Sequence, residues 1–103
     1  MEIVWHAHNA VVSDRLRARA EHGVEKAASR LNRSVTATIR FEREGTRCRV
    51  ELVLNAARHK TLVAEGNGRY YGPALATALE HLETQVARER RTVKQRTARL
   101  ART

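Results

Sequence analysis

Two runs of alternating side chains, at residues 34–42 and 46–54, constrain the fold of this 103-residue chain more than any other feature. Apolar side chains recur at every second position of each run, so one face of the resulting strand is apolar and the other is largely polar. The segment between them, Arg43-Glu44-Gly45, suits a hairpin turn because glycine adopts backbone conformations that other residues avoid. Such a hairpin has one face that other elements must cover and one face that stays in water.

Two more strands are predicted around this hairpin. Residues 2–8 alternate, with Ile3, Trp5 and Ala7 expected to point toward the core. Residues 58–65 form a fourth, weaker strand, which we expect to end before the following Gly-Asn-Gly sequence.

Residues 13–33 have the periodicity of a helix that begins after Ser13 as its N-cap. The apolar residues recur at spacings of three and four, which places them on one side of that helix: Leu16, Ala20, Val24, Ala27 and Leu31. The acidic residues take another side, and the basic residues form a separate stripe: Arg15, Arg19, His22, Lys26, Arg30 and Arg33. An ordinary solvated helix intersperses positive and negative side chains. This sorting therefore predicts a helix with one side that packs on the core and another side that binds a polyanion.

A second helix is predicted from about residue 70 or 73, with an apolar side formed by Leu75, Leu79, Leu82, Val86 and Val93. Beyond Arg88 the sequence is almost uniformly basic. We expect one α+β domain over 1–95, in the order β-α-β-β-β-α, with two helices packed on one face of a four-stranded sheet. Residues 96–103 are expected to form a basic C-terminal tail that protrudes or frays.

The net charge of +9 points to an anionic partner, with nucleic acid first and an acidic membrane or protein second. One cysteine, Cys48, leaves no intrachain disulfide, and no apolar run is long enough to cross a membrane. The N-terminal residues lack the pattern of a signal peptide. We therefore expect a cytoplasmic protein in a reduced state, with no membrane partner and no small-molecule substrate. The scarcity of aromatic residues favours recognition of backbone and shape over stacking on unpaired bases.

The histidines are the residues that suggest a metal site or a catalytic site. His6 and His8 share one face of a strand, and His59 is a candidate third member of a metal site or of a small hydrolase. A zinc site needs three or four ligands, and no third ligand is assured by the sequence. We predict no catalytic residue, no metal and no cofactor. A generic double-stranded RNA-binding module, which also sets two helices on one sheet face, stays open as an alternative function.

Several stretches, taken in their order and spacing, resemble the bacterial ribosome hibernation factors, namely the short hibernation-promoting factor and the related ribosome-associated inhibitor. These stretches are MEIVWHAHNAVVSDRLRARAEHGVEK, VELVLN, LVAEG and ALATALEHLETQVARERRTVK. The resemblance implies the same β-α-β-β-β-α fold and binding to the small ribosomal subunit at the decoding region, which silences translation in stationary phase or stress. It also implies ribosomal RNA contacts along the first helix and at the end of the second. The predicted RNA-binding residues are Arg15, Arg19, His22, Lys26, Arg30, Arg33, Arg88, Arg91 and Lys94.

The chain departs from that family at the start of the second helix. Tyr70-Tyr71-Gly72-Pro73 stands where the family usually has an acidic residue, any residue and tyrosine. Long family members carry an additional C-terminal dimerisation domain, for which this sequence ends too early. We expect a monomer. Whether such a protein promotes or blocks the pairing of ribosomes stays open.

Overall fold

The computed structural model describes residues 1–31 and 35–101, and it contains the six predicted elements in the predicted order. They are β1 (Glu2–His8), α1 (Asp14–Ser29), β2 (Val35–Glu44), β3 (Arg47–Ala56), β4 (Leu62–Gly68) and α2 (Tyr71–Ala101). The sheet order is β1-β2-β3-β4, in which β1 runs parallel to β2 and the other neighbours are antiparallel. The predicted α+β fold is therefore confirmed, as a mixed sheet.

The core lies between one face of the sheet and the two helices. Strict alternation buries Val35, Ala37, Ile39 and Phe41 of β2 and Cys48, Val50, Leu52 and Leu54 of β3. The predicted apolar stripes lie opposite them: Ala20, Val24, Ala27 and Leu31 near or in α1, and Leu75, Leu82 and Val86 in α2, are all buried. Burial of each large aliphatic side chain contributes roughly 1.5–3 kcal/mol. Packing of the two stripes on one apolar face thus positions both helices.

Helix α1 begins as predicted and ends earlier than predicted. The Ser13 side chain accepts a hydrogen bond from the backbone N–H of Leu16 over 3.1 Å, which caps the helix. At the other end the N–H groups of Arg30 and Leu31 bond to carbonyls only three residues back, so the last turn tightens and the helix closes at Ser29. Arg33 lies outside the described residues.

The strand boundaries near both turns differ from the prediction. Strands β2 and β3 continue further than expected and are joined by a two-residue turn at Gly45, whose φ is +61°. The predicted fourth strand at 58–65 is wrong in its boundaries. Arg58 has φ +67° and the backbone N–H of His59 bonds to the carbonyl of Ala56, so this segment turns instead of extending.

Gly66 does not break β4; the strand continues through it to Gly68. Helix α2 crosses this point so closely that a Cβ atom on Gly66 would collide with the carbonyl oxygen of Ala74 and lie 2.8 Å from the backbone nitrogen of Ala78. Glycine here therefore permits a close approach of two backbones.

Strand β1 forms a half-covered edge of the sheet. Trp5 points toward the core as predicted, where its ring stacks on Phe41 with the ring centroids 5.9 Å apart. Its indole N–H donates to Glu21 of α1 over 3.0 Å, and the Arg17 guanidinium lies 4.6 Å from its ring centroid. Ala7, by contrast, is exposed, because it lies at an edge that the helices do not cover.

Helix α2 has 31 residues and is the longest element. Such a helix is about 46 Å long, which accounts for the elongated shape of 55 × 22 × 17 Å. It continues as a helix to Ala101, past residue 95, where we predicted the basic tail to begin. The division of the chain at residue 95 stays a prediction. Within the described ranges, neither helix has the length and apolar character needed to span a membrane.

Candidate nucleic-acid interface

The basic stripe of α1 lies on the side of that helix that borders α2. Arg15, Arg19, His22 and Lys26 are all exposed. Arg19 donates from Nη1 to the carbonyl oxygen of Gly72, at the start of α2, over 3.4 Å. The acidic flank of α1 faces the other way, since Glu21 contacts Trp5 of β1. The basic stripe and the acidic flank are thus on different sides of α1, although Arg17 also lies on the flank that faces Trp5.

Arg30 differs from the rest of the stripe because it is paired. Its Nη1 lies 2.7 Å from Oε2 of Glu83 on α2, and both side chains are little more than one-third exposed. The carboxylate balances part of the arginine charge and joins the end of α1 to the middle of α2. Arg30 therefore has a structural role through its ion pair with Glu83, and it also lies next to the predicted interface.

The three predicted residues of α2 do not share one side. Arg91 and Lys94 line a groove near the end of α1, whereas Arg88 is exposed elsewhere on the helix. Six residues separate Arg88 from Lys94, which corresponds to a rotation of about 120° between them around an α-helix. The structure thus brings Arg91 and Lys94 next to Arg30 and leaves Arg88 on another flank.

This groove, which we call the three-element groove, lies between the end of α1, the β3–β4 connection and the second half of α2. It has a volume of about 760 Å³. Its cationic lining residues are Arg30, Arg58, Arg90, Arg91 and Lys94, and none of its described lining residues is acidic. Leu31, Ala87 and Val93 supply apolar surface between these charges.

Arg58 and Arg90 were missed as candidate residues. The sequence predicts Arg58 within a strand, and Arg90 stands only as part of the basic run after Arg88. The basic sequence Arg58-His59-Lys60 next to a turn was the available signal. The sequence alone did not indicate that this turn reaches α2.

A buried acidic residue adjoins the three-element groove. Glu89 is 5% exposed, and its Oε1 lies 3.3 Å from Nδ1 of His59 and 3.9 Å from Nη2 of Arg96. His59 is itself largely covered. The pair links the β3–β4 connection to α2 directly.

Two arginines on the opposite side of the molecule, Arg40 and Arg49, are neutralised by carboxylates. On the outer face of the sheet, Arg49 lies 2.7 Å from Glu65, 2.8 Å from Glu51 and 3.2 Å from Glu42. Arg40 lies 3.7–3.8 Å from Glu51 and Glu42. The hydrogen bonds from Arg49 and Asn67 lower the pKa of Glu65 to about 2, and Glu65 in turn raises the pKa of Arg49. Excess positive charge is therefore concentrated on the helical side.

The structure does not bring the three candidate histidines together. His8 pairs with Glu42, at the hairpin end of β2, whereas His59 follows β3 near the paired residues Val35 and Ala56 at its other end. Seven residues of strand correspond to roughly 23 Å. Within residues 1–31 and 35–101, no group of three His, Cys, Asp or Glu side chains is placed to hold a metal ion.

Comparison with known proteins identifies the family. The sequence profile described as sigma 54 modulation protein / S30EA ribosomal protein matches residues 3–94. No curated protein matches the chain in sequence. The fold is similar to that of the Thermus thermophilus Protein Y N-terminal domain, with a TM-score of 0.72 and 22% identity over 85% of this chain and 98% of that chain. It is also similar to a ribosomal subunit interface protein from Coxiella burnetii, with a TM-score of 0.75 and 19% identity over 85% of this chain and 96% of that chain.

The profile covers nearly the whole globular part of the chain, from β1 through most of α2. The resemblance to the ribosome hibernation factors, first seen in separate stretches, is thereby confirmed. The chain belongs to the family of sigma 54 modulation proteins and S30EA ribosomal proteins.

Proposed function

We propose that this protein is a non-catalytic ribosome hibernation factor that binds ribosomal RNA of the small subunit near the decoding centre. Its family membership supports a role on the ribosome. The observation that carries the proposal is the asymmetry of its charge: Arg40 and Arg49 on the outer face of the sheet are paired with carboxylates, while most cations of the helical side are not.

The proposed mechanism is steric. Phosphate contacts provide affinity and position without sequence readout, and they release counterions from the RNA. A domain held by its helical side in an RNA-walled channel excludes messenger RNA and transfer RNA from the same space. Translation is then silenced under stress or in stationary phase without any chemical step. On this proposal the protein acts in the cytoplasm as a monomer.

The proposed RNA contacts are those predicted from the stripe and from the second helix: Arg15, Arg19, His22, Lys26, Arg30, Arg33, Arg88, Arg91 and Lys94. Arg15, Lys26, Arg91 and Lys94 combine exposure with a place on the helical side. Arg30 contributes less on this view, because Glu83 already balances part of its charge.

Co-sedimentation with purified small subunits at increasing KCl tests the proposal. Replacement of Lys26, Arg30, Arg88 and Arg91 by Ala should weaken binding and reduce the log–log salt slope by roughly one unit per lost phosphate contact. The control variant carries Ala at Arg40, Arg43, Arg47 and Arg69, which removes the same number of positive charges from outside the proposed interface. Equal losses in the two variants would contradict the proposed interface.

Three further measurements separate the alternatives. Added transfer RNA should displace the protein from small subunits if both use the decoding region. Retention on plain duplex RNA with the same affinity as on subunits would instead favour the generic double-stranded RNA-binding module. The double substitution His6→Ala/His8→Ala should leave subunit binding and translation inhibition unchanged. Loss of both would favour the alternative of a small histidine-dependent hydrolase.

A further inference from the structure

One wall of the three-element groove comes from outside the two helices, so the basic stripe of α1 and the basic residues of α2 do not account for it. Its third wall is the β3–β4 connection, which contributes Arg58 from outside both helices. Arg58, Arg90, Arg91 and Lys94 converge there, and no ion pair is found for any of the four within the described residues. Like charges gathered in this way repel one another, so a bound polyanion would relieve the repulsion.

The backbone at Arg58 favours a different residue type. Its φ of +67° lies in the left-handed region, which glycine and asparagine adopt more readily than arginine does. The side chain is exposed and is not part of the core. Turn geometry and packing therefore do not account for arginine at this position, whereas its place in a cationic groove does.

The connection that carries Arg58 is held at a defined place on α2. The His59 N–H donates to the Ala56 carbonyl oxygen over 3.2 Å, which closes the turn. The His59 ring then lies 3.3 Å from Glu89, a buried carboxylate on α2. Because Glu89 immediately precedes Arg90, the same contact keeps Arg58 next to the cations of α2.

We propose that the three-element groove binds phosphate esters, with Arg58 as a direct contact and with His59 and Glu89 as positioning residues. The volume of about 760 Å³ is larger than a lone phosphate needs and lies within the range of roughly 300–1,000 Å³ for small-molecule sites. The basic stripe of α1 leads into the groove, since Lys26 precedes Arg30 by about one turn. This continuity favours a phosphodiester of an RNA strand over a free nucleotide, and that choice of source rests on the proposed function.

Substitutions at Arg58 separate its charge from its backbone. Arg58→Asn removes the charge and tolerates the left-handed conformation, whereas Arg58→Lys keeps the charge. Arg69→Asn is the matched control, because Arg69 is an exposed arginine in the connection at the other end of β4. We expect Arg58→Asn to bind small subunits roughly threefold to tenfold more weakly, with a salt slope lower by about one unit. Arg58→Lys should retain most of the affinity, and Arg69→Asn all of it.

A thermal melt distinguishes a binding role from a structural one. Arg58→Asn should melt at the same temperature as the unchanged protein or at a higher one, because it relieves the backbone conformation. His59→Ala should weaken binding while Arg58 is intact, and should add little once Arg58 is replaced, because it acts through that side chain. Full additivity of the two losses would contradict the positioning role, and a lowered melting temperature for Arg58→Asn would contradict the binding role.

Amide chemical shifts tell the phosphate sources apart. Tripolyphosphate, GTP and a short single-stranded RNA are titrated separately, and the shifts of Leu31, Arg58 and Val93 are followed. We expect saturable shifts with all three probes and the tightest binding with RNA. Tighter binding of GTP than of RNA would overturn the choice of an RNA strand.

Two outcomes distinguish the groove assignment from the proposed function. If no phosphate probe shifts the groove amides while the unchanged protein still binds subunits, the groove assignment is wrong and the proposed function stands. If the protein does not bind subunits while tripolyphosphate still shifts those amides in an Arg58-dependent way, the groove assignment stands and the proposed function is wrong.

Discussion

Arg30 and Glu83 are 53 residues apart in sequence and form a 2.7 Å ion pair that joins the end of α1 to α2. The pair lies where the basic stripe of α1 reaches the three-element groove. It therefore influences both the relative position of the helices and the charge that the proposed interface presents.

Removal of the Glu83 carboxylate should strengthen binding to RNA. Glu83→Gln frees the Arg30 charge, so we expect tighter binding to small subunits and a steeper salt dependence. The expected cost in stability is about 1 kcal/mol or less, because a pair this exposed is screened by water. Salt-dependent binding curves and urea unfolding measure the two effects. Glu80→Gln, an exposed carboxylate one turn earlier on α2, is the control; an equal gain in affinity from it would indicate a general charge effect.

Replacement of Gly66 should destabilise the fold through crowding of the backbone. A methyl group in Gly66→Ala would meet the carbonyl of Ala74, which cannot move away without a shift of α2. We expect a loss of about 1–3 kcal/mol in the free energy of unfolding. Gly68→Ala in the same strand is the matched control, since the nearest atom to its new methyl would be 3.6 Å away. Urea unfolding checks the pair, and equal losses would contradict the close approach.

The Glu65–Arg49 interaction should make stability depend on pH. The pKa of Glu65 is lowered from 4.5 to about 2 in the folded protein, so the folded state favours the charged carboxylate. Its contribution is full above pH 4.5 and is lost as the pH falls toward 2. We expect Glu65→Gln to lower the free energy of unfolding at pH 7 by about 1 kcal/mol or less, because the side chain is well exposed.

The difference between Glu65→Gln and the unchanged protein should therefore shrink between pH 4.5 and pH 2, as measured by urea unfolding across that range. Glu44→Gln, an exposed residue at the end of β2, is the control. A difference that does not change with pH would show that the ion pair is not its source.

The hydrogen bond between Trp5 and Glu21 should support the half-covered edge strand. Glu21→Ala removes the acceptor of the indole N–H and leaves that group without its partner. We expect a loss of roughly 1–2 kcal/mol in the free energy of unfolding. Trp5 is the single tryptophan, so its fluorescence reports the unfolding directly. Glu25→Ala, one turn further along α1 and exposed, should have a smaller effect.

Local patterns were sufficient for the order of the elements and for their buried faces. Alternation in β2 and β3 and the spacing of Ala20, Val24 and Ala27 in α1 depend only on residues close in sequence. The Ser13 cap is local in the same sense. The basic stripe of α1 is also a local property, and its exposed members Arg15, Arg19, His22 and Lys26 remain on one side of the helix.

Boundaries and contacts between distant segments were not predictable in this way. The sequence predicts that the strand ends before Gly66, because Gly66-Asn67-Gly68 interrupts the alternating pattern; the role of Gly66 depends on where α2 crosses the sheet. The sequence also predicts a strand at Arg58, where the backbone conformation turns the chain. The residues next to Gly66 do not show where α2 crosses the sheet, and the residues next to Arg58 do not show the conformation of the turn.

The sequence by itself determined most of the side chains that face the core, the α+β order of the elements and the positive stripe of α1, because period-two and period-3.6 patterns act within a single element. Only the tertiary structure decided that Arg30 is paired with Glu83, that His59 contacts Glu89, and that three separate segments form one cationic groove. The physical reason is that these contacts join residues 30 or 53 positions apart. They form only once both helices have packed on the same face of the sheet.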